Sequence, residues 1–195
     1  GADALRLYLL SSPIVHGEDV IFSEKFLKEV TGTVLLPYWN CVKYFLNYKG
    51  DFKPKEISEL KLDDVMDRWI LAKLNQTTKE VTEYMDEYKL QNATKKLFEL
   101  ITHLSRWYIR RSRDRFVEGN EEALSTLHHV LLEMSKLMAP FTPFISESTY
   151  LTLVEDGKES VHLEDYPKVK EKYLDEELIE NMEFVREVCS LGLSI

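Results

Sequence analysis

Five arginines fall between positions 106 and 115, in the stretch Leu104-Ser105-Arg106-Trp107-Tyr108-Ile109-Arg110-Arg111-Ser112-Arg113-Asp114-Arg115-Phe116. The guanidinium fork suits phosphate oxygens, which it meets with paired, charge-assisted hydrogen bonds, and its flat face stacks on bases. The chain as a whole is acidic, with a formal net charge of -9. A dense cationic cluster in such a chain points to a local anionic partner rather than to a uniformly basic surface. A solvated helix face holding a few ion pairs is the competing explanation, and for any one arginine the two weigh evenly.

Helical geometry sorts these arginines into two sets. At about 100° per residue, Leu97, Leu100, Leu104, Trp107 and Tyr108 form one apolar stripe. Arg106, Arg110 and Arg113 lie opposite it at spacings of four and three, and are expected to be exposed. Arg111 and Arg115 continue the stripe itself. A buried arginine without a partner is very costly. Either the stripe leaves the core there, or Arg111 and Arg115 pair with carboxylates such as Asp67 or Glu147. The favoured expectation is a helix end that protrudes and presents positive charge to solvent. A second group of interest is Trp39 beside Asn40, within the aromatic cluster Tyr38, Trp39, Tyr44, Phe45 and Tyr48. Most of that cluster reads as core, but an exposed Trp39 could stack on an unpaired base.

The elements that must position these groups read as helices almost throughout. Residues 3–10 form a short amphipathic helix stopped by Ser11-Ser12-Pro13. Ser23 is an expected N-cap for a helix reaching Tyr48, kinked at Pro37. Asp64 caps the next helix, and another runs from about Leu90 to Val117, ending at Gly119. Asn120 starts a further helix that Pro140 ends, and Thr142 with Pro143 supplies an N-cap and first-turn proline for the one after it. Val161 and Leu163 suggest a short extended piece, and Asp175 opens a last amphipathic helix. The expected class is all-α, an up-and-down helical bundle with short connections and a C-terminal helical extension.

Composition narrows the functions further. At 195 residues the chain can bury a proper core, and only 7 glycines and 6 prolines suit a helical domain. Cys41 and Cys189 are far apart and lack a CxxC spacing, so they read as reduced thiols with no zinc site and no disulfide. His128 and His129 are adjacent and point apart on a helix, which argues against a metal site. No transmembrane run or signal peptide is expected. No glycine-rich phosphate loop or nucleophile arrangement is present. Met134-Ser135-Lys136 resembles part of a nucleotide-handling loop, but it lies inside a periodic helix with Met134 facing inward, and is rejected.

Several segments together resemble one family. Gly-Ala-Asp-Ala-Leu-Arg-Leu-Tyr-Leu-Leu-Ser-Ser-Pro at 1–13 is similar to the segment just after the catalytic domain of class I isoleucyl-tRNA synthetases. Phe22-Ser23-Glu24, Leu36-Pro37-Tyr38-Trp39-Asn40, Asp67-Arg68-Trp69-Ile70-Leu71 and Trp107-Tyr108-Ile109-Arg110-Arg111-Ser112-Arg113 continue the resemblance in order. Met138-Ala139-Pro140-Phe141-Thr142-Pro143-Phe144-Ile145 and Ser160-Val161-His162-Leu163 complete it. It covers nearly the whole chain and is similar to the eukaryotic and archaeal branch. The Asp-Ala-Leu-Arg and Ala-Pro-Phe-x-Pro-Phe elements are shared with valyl and leucyl relatives, whereas Trp-Tyr-x-Arg-Arg-Ser-Arg is the sharper isoleucyl signal.

The resemblance implies an anticodon-binding helical domain of a much larger cytoplasmic enzyme. It divides the chain into a junction segment (1–20), the helical bundle (21–156), and a linker with C-terminal helix (157–195). The His-Ile-Gly-His and Lys-Met-Ser-Lys-Ser motifs are absent, so the fragment is expected to be non-catalytic, without cofactor and monomeric. ATP with magnesium belongs to the parent's catalytic domain. The implied partners are the anticodon stem-loop of isoleucine-accepting tRNA and the parent's catalytic and editing domains. The expected tRNA contacts are Trp39, Asn40, Arg106, Arg110, Arg111, Arg113 and Arg115. Residues 103–118 carry +3 and the rest -12, so repulsion elsewhere would help set register. Two alternatives stand beside this reading. One is the equivalent valyl or leucyl domain; the other is a helical protein-interaction module docking through residues 175–193.

Overall fold

In the computed structural model, residues 1–192 are described, and among them no strand occurs. The helices are α1 (Ala2–Leu10), α2 (Glu24–Val30), α3 (Leu36–Lys49), α4 (Val65–Asp86), α5 (Leu90–Thr102), α6 (Ile109–Arg111), α7 (Arg113–Val117), α8 (Glu121–Met138), α9 (Pro143–Leu153) and α10 (Glu176–Gly192). The last residues of the expected C-terminal helix and extension, 193–195, lie outside the described residues. α4 packs against α5 and α8, α3 and α9 flank α8, and α10 lies on α4. This is the expected helical bundle.

Two wide turns shape the long helices. α2 passes through a π turn (Thr31–Leu35) into α3, with the Leu36 amide bonded to the Thr31 carbonyl. Pro37 has no N–H to offer, and the widened turn just before it gives its ring room. The helix therefore stays continuous through Pro37, with no loop. A second π turn (His103–Tyr108) joins α5 to α6, and a single non-helical residue, Ser112, separates α6 from α7. The expected helix over 90–117 is thus one helical run with two irregularities.

The core holds Leu7, Tyr38, Phe45, Trp69, Ile70, Leu97, Leu100, Leu104, Tyr108, Phe116, Leu127, Leu131 and Met134, all essentially buried. Each large apolar side chain contributes about 1.5–3 kcal/mol on leaving water. Asp64 caps α4 by accepting from Met66 N at 2.7 Å, and Asn120 caps α8 by accepting from Ala123 N at 2.9 Å. Asp175 likewise accepts from Leu178 N. Ser23 and Thr142 occupy N-cap positions, but their hydroxyls make no capping bond. Thr142 turns toward the Met138 carbonyl and Ser146 instead. Residues 161–163 form a 3-10 turn rather than the expected extended piece. Glu147 accepts from Val161 N and Ser160 Oγ accepts from His162 N, so local side chains use the amides a strand would need.

Two histidines make the fold acid-sensitive. Burial, then Arg186, Lys73 and Lys96, push the His103 pKa down to about 3. Burial, then Lys170, His128 and Lys136, push the half-buried His129 down to about 3 as well. Both are neutral in the fold and take up protons on unfolding below about pH 6.5. Stability is therefore full above that pH and falls as pH drops toward 3. Each histidine is expected to steepen the fall by up to about 1.4 kcal/mol per pH unit. Urea unfolding of His129→Gln between pH 7.5 and 5 should show a flatter profile than the parent chain; identical slopes would exclude this source.

Candidate nucleic-acid interface

The arginine run passes from the π turn through α6 to α7, and its side chains divide by direction. Arg106, Arg110, Arg111 and Arg113 are exposed, and none forms an ion pair among the described residues. Arg115 behaves differently. Its Nη1 and Nη2 donate to Asp67 Oδ1 and Oδ2 at 3.0 and 2.5 Å, a bidentate pair on a fully buried carboxylate. Tyr108 donates its hydroxyl to the same Oδ1 at 2.6 Å, and Asp64 and Glu122 lie 3.3 and 3.9 Å from the Arg115 guanidinium. Burial, then the Asp67 charge, raises the Tyr108 pKa and keeps it a donor. The favoured expectation of a protruding, charged helix end is corrected for Arg115: the stripe stays in the core, and Asp67 supplies the partner. Glu147 is engaged elsewhere, by Ser160 and Val161.

Arg111 takes a third course. It is exposed, and its guanidinium lies 4.6 Å from the Trp107 ring centroid, with Arg186 of α10 at 5.8 Å from the same ring. Trp107 also donates Nε1–H to Met182 Sδ at 3.2 Å, so this side of the helix faces α10. A cation over an indole is stabilised by the ring quadrupole, which orients Arg111 while leaving its charge unpaired.

The remaining face forms a groove. Pro37, Asn40, Cys41 and Tyr44 of α3 line one wall, and Ser105, Arg106 and Ile109 line the other, around a volume of about 360 Å³. Asn40 and Arg106, distant in sequence, thus meet at one site. Trp39 does not line it; it is half-buried and packs against the core. Arg113 acts electrostatically on Tyr44, whose pKa is raised first by burial and then by Tyr48, with Arg113 pulling it down and the neighbouring Asp114 pushing it up. The Tyr44 hydroxyl is shielded from solvent and makes no hydrogen bond of ordinary length.

Charge favours this groove for an anion. α3 and residues 103–113 together hold Lys43, Lys49, Arg106, Arg110, Arg111 and Arg113, and no carboxylate. Lys43 is exposed on α3, one turn from Asn40. Lys43, on α3 next to the lining residue Tyr44, is a cation the sequence reading did not name, and Tyr44 was named only within an aromatic cluster read mainly as core. The absence of acids from α3 was the available signal for Lys43. Tyr44 carried none, because an aromatic in an apolar pattern reads as core. With open donors, an amide and an aromatic side by side, the groove can bind phosphates and take up an unstacked base. Burial raises the pKa of the Cys41 thiol at its floor to about 12, so the thiol is inert there. Among the described residues no cluster of metal-ligating groups occurs, and no helix is long and apolar enough to cross a membrane.

Comparison with known proteins places the fold in a family. Residues 67–195 match the family described as the anticodon-binding domain of tRNA ligase. The isoleucine–tRNA ligase of Protochlamydia amoebophila is 40% identical over 98% of the chain. That of Chlamydia trachomatis serovar L2 is 42% identical and the cytoplasmic isoleucine–tRNA ligase of Saccharomyces cerevisiae 39% identical, each over the whole chain. The chain spans only 19–20% of the length of these relatives. In a crystal structure of the ternary complex of Agrobacterium radiobacter K84 agnB2 LeuRS with tRNA and LeuAMS, a matching region has a TM-score of 0.69. It covers 90% of this chain and 20% of that one at 19% identity, a likeness of fold. The chain belongs to the family of anticodon-binding domains of tRNA ligases.

Proposed function

We propose that the chain holds the anticodon stem-loop of isoleucine-accepting tRNA for an isoleucine–tRNA ligase, so that the distant acceptor end reaches a catalytic domain elsewhere in the parent. The observation that carries this is the groove joining Asn40 to Arg106, whose lining holds no carboxylate, with Arg110 and Arg113 on the adjoining helices. Arg106, Arg110 and Arg113 contact phosphates, and Asn40 contacts a splayed base. Trp39 offers only its exposed edge for stacking. Arg111 is a peripheral phosphate contact oriented by Trp107, and Arg115 fixes the helix end through Asp67 rather than reaching RNA.

The isoleucine assignment draws support from relatives at about 40% identity over essentially the whole chain. We keep the eukaryotic and archaeal-type cytoplasmic form as part of this reading, supported by the yeast enzyme. The chlamydial enzymes stand equally near, so the identities favour neither branch. The division at 20/21 and 156/157, the monomeric state, and ATP with magnesium in the parent's catalytic domain belong to the same proposal. Met134-Ser135-Lys136 does not form a nucleotide-handling loop: Met134 and Ser135 are buried in α8, and Lys136 pairs with Glu133 at 3.0 Å.

The test is binding of the purified chain to an isoleucine anticodon stem-loop and to the same stem carrying valine or leucine anticodon bases. Preference for the isoleucine loop, with no isoleucine-dependent ATP–pyrophosphate exchange, is expected. Equal binding to all three loops would remove the isoleucine assignment, and exchange by the contaminant-free chain would overturn the non-catalytic role.

A further inference from the structure

α1 is fastened to the bundle by charge as well as by packing. Ala4, Leu7 and Tyr8 are buried on one side of it. On another, Asp3, only 8% exposed, accepts from Phe144 N at 3.2 Å and from Ile145 N at 2.7 Å. Those are free amides of the first turn of α9, where Pro143 has no N–H and Thr142 provides no cap. One turn along α1, Arg6 Nη2 donates to the Pro140 carbonyl at 2.9 Å, just past the C-terminal end of α8. A carboxylate thus meets the positive end of one helix dipole and a guanidinium the negative end of another. The Asp-Ala-Leu-Arg and Ala-Pro-Phe-Thr-Pro-Phe elements, read separately from the sequence, are the two halves of this contact.

We propose that Asp3 and Arg6 form a two-point clamp that makes α1 one rigid body with the α8–α9 corner, and so the lever through which the rest of the parent polypeptide sets the bundle's position. The lever rests on the reading that the chain is the anticodon-binding part of a longer ligase; the clamp does not. Arg6 is exposed, and a single exposed hydrogen bond contributes little to stability. Its geometric effect is larger, because two contacts one turn apart fix the axis of a short helix where one would leave it free to pivot. Asp3 and Arg6 are positioning residues, since their partners are the backbone of residues 140–145 rather than the RNA groove.

The experiment compares Arg6→Met, Arg6→Lys and Asp3→Asn. In this chain, amide exchange over residues 4–10 should quicken at least about threefold in Arg6→Met and at least about tenfold in Asp3→Asn while α4 and α8 stay protected. Anticodon stem-loop affinity should stay unchanged. In the parent enzyme, kcat/KM for tRNA should fall about tenfold, because small misplacements of a bound substrate are costly, while amino-acid-dependent ATP–pyrophosphate exchange holds. Arg6→Lys, which can still donate to the Pro140 carbonyl, should restore both readouts. Unchanged α1 exchange in both variants overturns the clamp. Faster exchange with undiminished tRNA kcat/KM overturns the lever. Failure of the unsubstituted chain to bind the stem-loop overturns the functional reading beneath the lever, and the exchange data separate that from failure of the clamp.

Discussion

Asp67→Ala is expected to be the most destabilising single substitution near the interface, costing about 3 kcal/mol or more, as removal of one member of a buried ion pair does. The carboxylate is fully buried and serves both nitrogens of the Arg115 fork and the Tyr108 hydroxyl. Its loss strands a guanidinium whose side chain is only 20% exposed. Asp64 at 3.3 Å and Glu122 at 3.9 Å offer partial compensation, which keeps the cost toward the lower end of the range of about 3–5 kcal/mol. At about 2–4 °C per kcal/mol for a chain of this size, Tm should drop by roughly 6–12 °C. Replacing both charges, as in Asp67→Leu with Arg115→Met, should recover much of the loss, because no uncompensated charge then remains. Thermal unfolding of Asp67→Ala, of Asp67→Leu and Arg115→Met singly, and of the double variant checks this. A Tm for Asp67→Ala within 1 °C of the parent chain, or a double variant less stable than either single, would show that the network does not hold the helix end.

The same network shows where sequence reading reached its limit. Periodicity placed Arg115 on the apolar stripe correctly, and the cost of a bare buried charge left two outcomes. Deciding between them required knowing that the first turn of α4 lies against α7, a contact between residues 48 apart in sequence. Local pattern does not carry that distance. Helices were legible because caps and breakers are local: Asp64, Asn120 and Pro140 act on their own neighbours. Thr142 failed as a cap because Asp3, from the other end of the chain, occupies that place. At 161–163 apolar alternation suggested extension, but Glu147 and Ser160 bent the backbone into a turn.

The interface was legible in part. The exposed set Arg106, Arg110 and Arg113 followed from 3.6-residue periodicity, and it survived the π turn at 103–108. That Asn40 shares a groove with Arg106 was not available from either segment alone. Trp39, the residue next to Asn40, turns toward the core, since successive helical positions point about 100° apart.

Removing the arginine face should have the largest effect on binding. Arg106, Arg110 and Arg113 are exposed and form no ion pair among the described residues, so alanine at each should change stability by no more than roughly half a kcal/mol. Charge-assisted hydrogen bonds are worth about 1.5–3 kcal/mol each, so the triple variant should bind anticodon stem-loop RNA at least about 100-fold more weakly at low salt. Arg115→Ala should instead lose stability, with a smaller part of its effect in RNA affinity. The direct measurement is stem-loop affinity of the parent chain and the triple variant across a salt series, paired with thermal unfolding of both. Each lost phosphate contact should shallow the log–log slope by about 0.7–0.9, so the triple variant should lose roughly two to three units of slope while keeping its Tm. If the triple variant keeps both the affinity and the slope of the parent chain, this face does not bind RNA.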